Sequence, residues 1–167
     1  MKAALLSLLL AASIAAVAQD AAPPQDFSSL NRTPKKNVQY VQYAAEQQLI
    51  PAGKQTVLEL RFHVVDGFHI NSHLPKSDLQ IPTRIELTPV AGVKLGIPGY
   101  PAGKAFSFSF APDEKLDVYQ GEFVVRLPVT ASAGAHELDG TLRYQACDHA
   151  ACYPPKTLPI GVVFTAK

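Results

Sequence analysis

The chain has little of what most catalytic chemistry needs. Only two of its 167 residues are cysteine, Cys147 and Cys152. It carries no excess of either charge, with 15 Lys and Arg against 14 Asp and Glu and a formal net charge of +1, so electrostatics offers no basis for nucleic acid or an anionic membrane as partner. No Gly-x-Ser-x-Gly elbow, glycine-rich phosphate loop or distinct carboxylate pair appears, which removes the usual hydrolase and nucleotide-binding readings. Beyond the first 18 residues no run is apolar enough to span a bilayer, and none shows a sustained 3.6-residue apolar stripe. Internal repeats are absent as well.

What is present begins with Met1-Lys2, an apolar run to Val17 and the small-residue sequence Ala16-Val17-Ala18. This pattern predicts a secretory signal over 1–18, cleaved after Ala18, and an exported mature chain in a compartment where disulfides persist. Residues 19–37 are rich in Pro, Ser, Asn and charge without periodicity and read as a flexible leader. The remaining stretch, 38–167, is the size of one domain and long enough to bury a core without metals.

Within that domain the signal is alternation. Leu58, Leu60, Phe62 and Val64 share one parity against Glu59, Arg61 and His63, and Phe123, Val125, Leu127 and Val129 repeat the pattern. Asp66-Gly67 carries the residues of a tight hairpin turn leading into a strand at 68–72, and short strands are expected at 83–87 and 93–97, with a loop over 99–104. Phe106, Phe108 and Phe110 alternate with serines, which fits either a core strand or a loop with its rings folded inward. About seven to eight strands with turns at regular intervals predict an all-β domain, a sandwich before a barrel.

The chemistry sits in 142–155, Leu-Arg-Tyr-Gln-Ala-Cys-Asp-His-Ala-Ala-Cys-Tyr-Pro-Pro, at the mouth of a predicted hairpin closed by a strand at 157–164. Strand parity carried to Cys147 puts its sulfur on the polar face with Thr141, Arg143 and Gln145, within reach of a partner. The spacing is not the helix-starting Cys-x-x-Cys of thioredoxins, so an attacking thiolate is expected from the partner. As a staple, a loop this short contributes only about 2 kcal/mol by loop entropy, against about 4.7 for a hundred-residue loop.

Tyr-Gln-Ala-Cys, a short polar insert and Cys-Tyr-Pro-Pro before a closing strand resemble the signature of the N-terminal periplasmic domain of the DsbD family of thiol:disulfide interchange proteins. Asp66-Gly67-Phe68-His69-Ile70-Asn71-Ser72 and Ile81-Pro82-Thr83 resemble its early strands, and the likeness covers roughly 38–164. The resemblance implies an immunoglobulin-like sandwich without a cofactor, whose pair Cys147 and Cys152 exchanges disulfides with thioredoxin-like periplasmic partners. On that likeness Cys152 forms the mixed disulfide and Cys147 resolves it, and an aromatic cap, Phe108 or Phe110, shields the pair. Full-length DsbD adds a membrane domain and a thioredoxin-like domain, so an electron donor in trans is expected.

Two other classes compete. Cys147, His149 and Cys152 are soft-metal donors suited to copper or zinc, but three residues within six close a tetrahedron poorly. His69 and His73, about 13 Å apart on an extended strand, read as surface strand and loop histidines. The other alternative is a binding module without redox turnover, its disulfide merely structural. Asp148 and His149 read as solvated loop residues.

Overall fold

A computed structural model describes residues 38–167; the secretory signal expected over 1–18 and the leader expected over 19–37 lie outside the described residues. Twelve strand segments follow one another: β1 (Val41–Ala44), β2 (Gln48–Ile50), β3 (Thr56–Val64), β4 (His69–Asn71), β5 (Arg84–Leu87), β6 (Val93–Leu95), β7 (Lys104–Phe108), β8 (Ala111–Tyr119), β9 (Glu122–Ala131), β10 (Gly134–Tyr144), β11 (Ala146–Cys147) and β12 (Lys156–Ala166). No helix occurs among the described residues, and so none that is long and apolar enough to cross a membrane.

Alternation decides which faces are buried. In β3 the residues Leu58, Leu60, Phe62 and Val64 are buried, and in its antiparallel neighbour β9 so are Phe123, Val125, Leu127 and Val129. Register places Leu58 opposite Leu127 and Phe62 opposite Phe123, whose rings stack at 5.1 Å. The sheet order is β1-β3-β9-β6. A second sheet, β2-β12-β10-β5, presents Leu138, Leu142, Tyr144, Ile160, Val162 and Phe164 to the same core. Each such side chain removed from water contributes about 1.5–3 kcal/mol, so the two inner faces must meet. Gly140 lets β5 approach β10, since a Cβ there would lie 2.5 Å from the Glu86 carbonyl oxygen. The result is the expected all-β, immunoglobulin-like sandwich, and the segments outnumber the seven to eight strands expected because short strands of two to four residues edge each sheet.

A third sheet, β11-β4-β8-β7, grows from one end of the sandwich. β4 follows the end of β3, β8 precedes the start of β9, and β11 follows the end of β10; His63 lies opposite Glu122, Val41 opposite Val64, and the Tyr40 N–H donates to the hydroxyl of Tyr144 at the end of β10, which places these strand ends together. Here the hairpin expected at Asp66-Gly67 is corrected. The turn forms, with the Phe68 N–H donating to the Val65 carbonyl at 3.1 Å and Gly67 at φ 82°, but β3 already has β1 and β9 on its two edges. The chain therefore crosses to the third sheet, and β4 pairs with β11 and β8 instead of β3.

The three phenylalanines fit neither of the expected alternatives. Phe106 and Phe108 lie on β7, which turns at Ser109-Phe110 and pairs back with β8, with a bulge between Phe106 and Phe108. The loop expected over 99–104 is shorter than predicted, because Gly99 exchanges two backbone hydrogen bonds with Arg126 and Lys104 already opens β7.

Candidate functional site

β10 ends at Tyr144, and the chain steps through Gln145 into β11, where Ala146 pairs with Ile70 and Cys147 with His69. The Tyr153 N–H donates to the Ala146 carbonyl at 2.8 Å, and the Asp148 N–H to the Ala151 carbonyl at 3.0 Å. Between these bonds Cys147 and Cys152 form an antiparallel bridge at a non-hydrogen-bonded position, the register that brings side chains closest. Their Cα atoms are 3.9 Å apart and their sulfurs are joined in a disulfide. Pro154 and Pro155 then supply no N–H, and ladder pairing resumes only at Lys156.

The two cysteines differ in access. Cys147 is fully buried, at 0 % exposure, whereas Cys152 is exposed. This corrects the expectation that Cys147 shares the polar face of Arg143 and Gln145. The parity argument assumed one continuous strand, but the strand breaks at Gln145 and β11 belongs to a different sheet. The pair that sequence treats as equivalent is thus an exposed residue backed by an enclosed one.

Asp148 organises the four-residue loop between them. Its Oδ1 accepts the N–H groups of Ala150 and Ala151 at 2.7 and 2.8 Å, and its Oδ2 accepts the Tyr153 hydroxyl at 2.6 Å. The Tyr153 hydrogen bond, followed by the two backbone N–H groups, holds the Asp148 carboxyl down at about 2; the same bond pushes the Tyr153 phenol up. Asp148 is therefore a structural member of the loop, more than the solvated residue expected. Behind the loop, Gln145 Oε1 accepts from Asn71 Nδ2 at 3.1 Å while its Nε2 donates to the Tyr153 carbonyl at 3.2 Å, fastening the loop to β4. Tyr40, Phe68 and Tyr153 form an aromatic cluster with centroids 4.6–6.0 Å apart.

His69 is the residue that sequence reasoning misplaced. Read as a surface strand histidine, it is 2 % exposed, because the β7–β8 hairpin lays the Phe106 ring against it at 4.0 Å, with Phe108 at 5.9 Å. Burial pushes its imidazole down from the ordinary value and the Asp148 charge offsets part of that. Phe110 stacks on Phe108 at 4.9 Å and is 68 % exposed. His73 instead stacks on Tyr100 at 3.9 Å, so the two histidines have separate surroundings. No group of three or more His, Cys, Asp and Glu converges as a metal site among the described residues, and in the disulfide neither sulfur is a thiolate ligand.

The profile of the family described as "Thiol:disulfide interchange protein DsbD, N-terminal" matches residues 37–162. The chain is similar to the thiol:disulfide interchange protein DsbD of Actinobacillus pleuropneumoniae serotype 5b (strain L20), at 26% identity over 106 residues, covering 63% of this chain and 15% of that protein. It thus spans about a seventh of that relative's length. Among solved structures it is similar to the N-terminal periplasmic domain of ScsB from Proteus mirabilis, at 14% identity and a TM-score of 0.49 over 73% of this chain and 44% of that one. It is also similar to the Neisseria meningitidis complex between the DsbD N-terminal and the PilB N-terminal domains, at 22% identity and a TM-score of 0.43 over 67% and 80%.

Proposed function

The chain belongs to the family of DsbD N-terminal domains, and from that premise we propose that it is an exported redox module whose Cys147–Cys152 pair exchanges disulfides with thioredoxin-like proteins of the periplasm. The observation that carries this reading is the asymmetry of the pair. Exchange needs one sulfur open to in-line attack and a second that leaves; Cys152 is exposed and Cys147 enclosed. A partner's low-pKa thiolate attacks Cys152 Sγ, the disulfide breaks, and Cys147 Sγ departs with the electron pair, leaving a mixed disulfide on Cys152. The partner's second thiol then resolves it, so the partner dithiol is oxidised and this pair reduced by two electrons. Run backwards, the same steps pass the electrons to a client.

The supporting residues fit this cycle. A loop that Asp148 holds by three hydrogen bonds presents Cys152 in the disulfide form. The β7–β8 hairpin serves as the cover, through Phe108 together with Phe106, while Phe110 at its tip meets solvent. Export rests on the signal over 1–18, with the leader over 19–37 preceding the domain over 38–167.

The test is the reduction potential of the pair in purified mature protein, followed by trapping with single-cysteine variants. Exchange predicts a potential in the range of about −120 to −270 mV, and a structural staple one below about −300 mV. C147S keeps the exposed sulfur and accumulates a mixed disulfide with a thioredoxin-like partner; C152S accumulates little, because the remaining thiol is enclosed. A potential below about −300 mV with no partner trapped by either variant overturns the reading and leaves a binding module with a structural disulfide.

A further inference from the structure

Resting on the exchange reading above, we propose that His69 is the hydrogen-bond donor that receives the Cys147 sulfur when the disulfide opens, so that the redox state of the pair and the protonation of His69 are coupled. Three observations converge on it. In the β4–β11 ladder His69 is the direct register partner of Cys147, and side chains directly opposite in an antiparallel pair project from the same face with Cβ atoms about 4.5–5.5 Å apart. Both residues are buried, His69 at 2 % exposure and Cys147 at 0 %, so a charge appearing on Cys147 has little water to solvate it. And His69 Nε2 is fully enclosed without a hydrogen-bond partner. Buried polar atoms normally find a partner, and a thiolate arising on Cys147 supplies one. A disulfide sulfur is a weak acceptor, whereas a thiolate is a strong one.

The surroundings leave His69 few other choices. From β7 it meets only the rings of Phe106 and Phe108. On β8, Tyr119 pairs with Ile70, the residue after His69, and its hydroxyl donates to the Pro101 carbonyl. From the cysteine loop the Asp148 charge acts on His69, but both its carboxylate oxygens are occupied by Tyr153, Ala150 and Ala151. His69 also lines a cleft of about 230 Å³ with Asp66, Phe68, Phe106 and His149, which gives protons a route from solvent. As the partner thiolate bonds to Cys152, Cys147 leaves as a thiolate. The neutral imidazole in its Nε2–H tautomer donates a hydrogen bond to that thiolate, and a proton taken up from solvent through the cleft completes an imidazolium–thiolate or imidazole–thiol pair.

Histidine NMR titration of the mature protein, as the disulfide and after reduction by a phosphine, tests this without any partner. His69 is expected to protonate at a pH higher by about one unit or more in the reduced form, as a group does when an opposite charge arises within hydrogen-bond reach. H69F keeps an aromatic ring against Phe106 and removes the donor; the Cys147 thiol should then titrate at higher pH and single-turnover exchange slow by roughly tenfold, equivalent to about 1.4 kcal/mol. H69Q, which returns an N–H, should recover part of both. A His69 titration that is the same in both redox states, or wild-type thiol titration in H69F and H69Q alike, overturns the inference. If exchange with thioredoxin-like partners fails while the redox-dependent titration persists, the relay reading falls and the His69–Cys147 coupling stands; if exchange runs normally with a redox-independent titration, the coupling alone falls.

Discussion

Asp148 commits both carboxylate oxygens to its own loop, accepting two backbone N–H groups and one phenol. Those donors bind the ionised form more strongly than the protonated one, which is why its carboxyl sits at about 2, below the ordinary 3.8. The sign follows: with the folded value depressed, the stabilisation is complete above about 3.8 and is lost as pH falls from there through about 2. Amide hydrogen exchange at Ala150 and Ala151 should therefore accelerate, relative to the other loops, as pH drops through that window. D148N, which cannot titrate, should show weaker protection at neutral pH and no such step. At this scale the cysteines were legible because two sulfurs five residues apart, the chain's whole complement, admit few chemistries. Which of them is open was not legible, because Gln145 moves Cys147 out of the strand whose parity was being counted.

The β7–β8 hairpin does at the scale of an element what no single residue does, covering His69, the register partner of Cys147. The cover depends on Phe106, whose ring lies at 4.0 Å from the imidazole, and much less on Phe110, which is 68 % exposed. F106A is expected to speed reduction of the disulfide by a small thiol by roughly tenfold, equivalent to about 1.4 kcal/mol of lost local closure, whereas F110A leaves the rate unchanged. Stopped-flow reduction by dithiothreitol separates the two. Gln145 plays the matching role underneath, joining β4 to the segment after Cys152. Q145A leaves Asn71 Nδ2 short of one acceptor and should cost about 1–3 kcal/mol in denaturant unfolding. The alternating phenylalanines were visible in the sequence; that they form one arm of a hairpin was not, because the partner strand, Ala111–Tyr119, opens with Ala-Pro-Asp-Glu-Lys, which carries no apolar alternation.

Over the whole molecule, the buried neutral histidine makes stability depend on pH. His69 is held below its ordinary value by burial, so in the disulfide form the unfolded chain binds a proton that the folded one does not. Stability is then complete above about 6.5 and declines as pH falls below it toward the folded value. Chemical denaturation of the oxidised protein from pH 7.5 to pH 5, roughly a unit either side of the free imidazole value, should show this decline, and H69F should flatten it. What the sequence by itself determined is the sandwich and the cysteine pair. Period-two alternation in residues 56–64 and 122–131 admits one buried face per strand, apolar area outweighs every local preference there, and the two cysteines have only each other to pair with. Only the tertiary structure decided how the pair is used. The strands of one end separate into a third sheet, which places Cys147 opposite His69, seventy-eight residues earlier in the chain, and brings Phe106 over His69. Those are contacts between distant segments, set by which sheet edges are already occupied, and no window of local sequence contains that information.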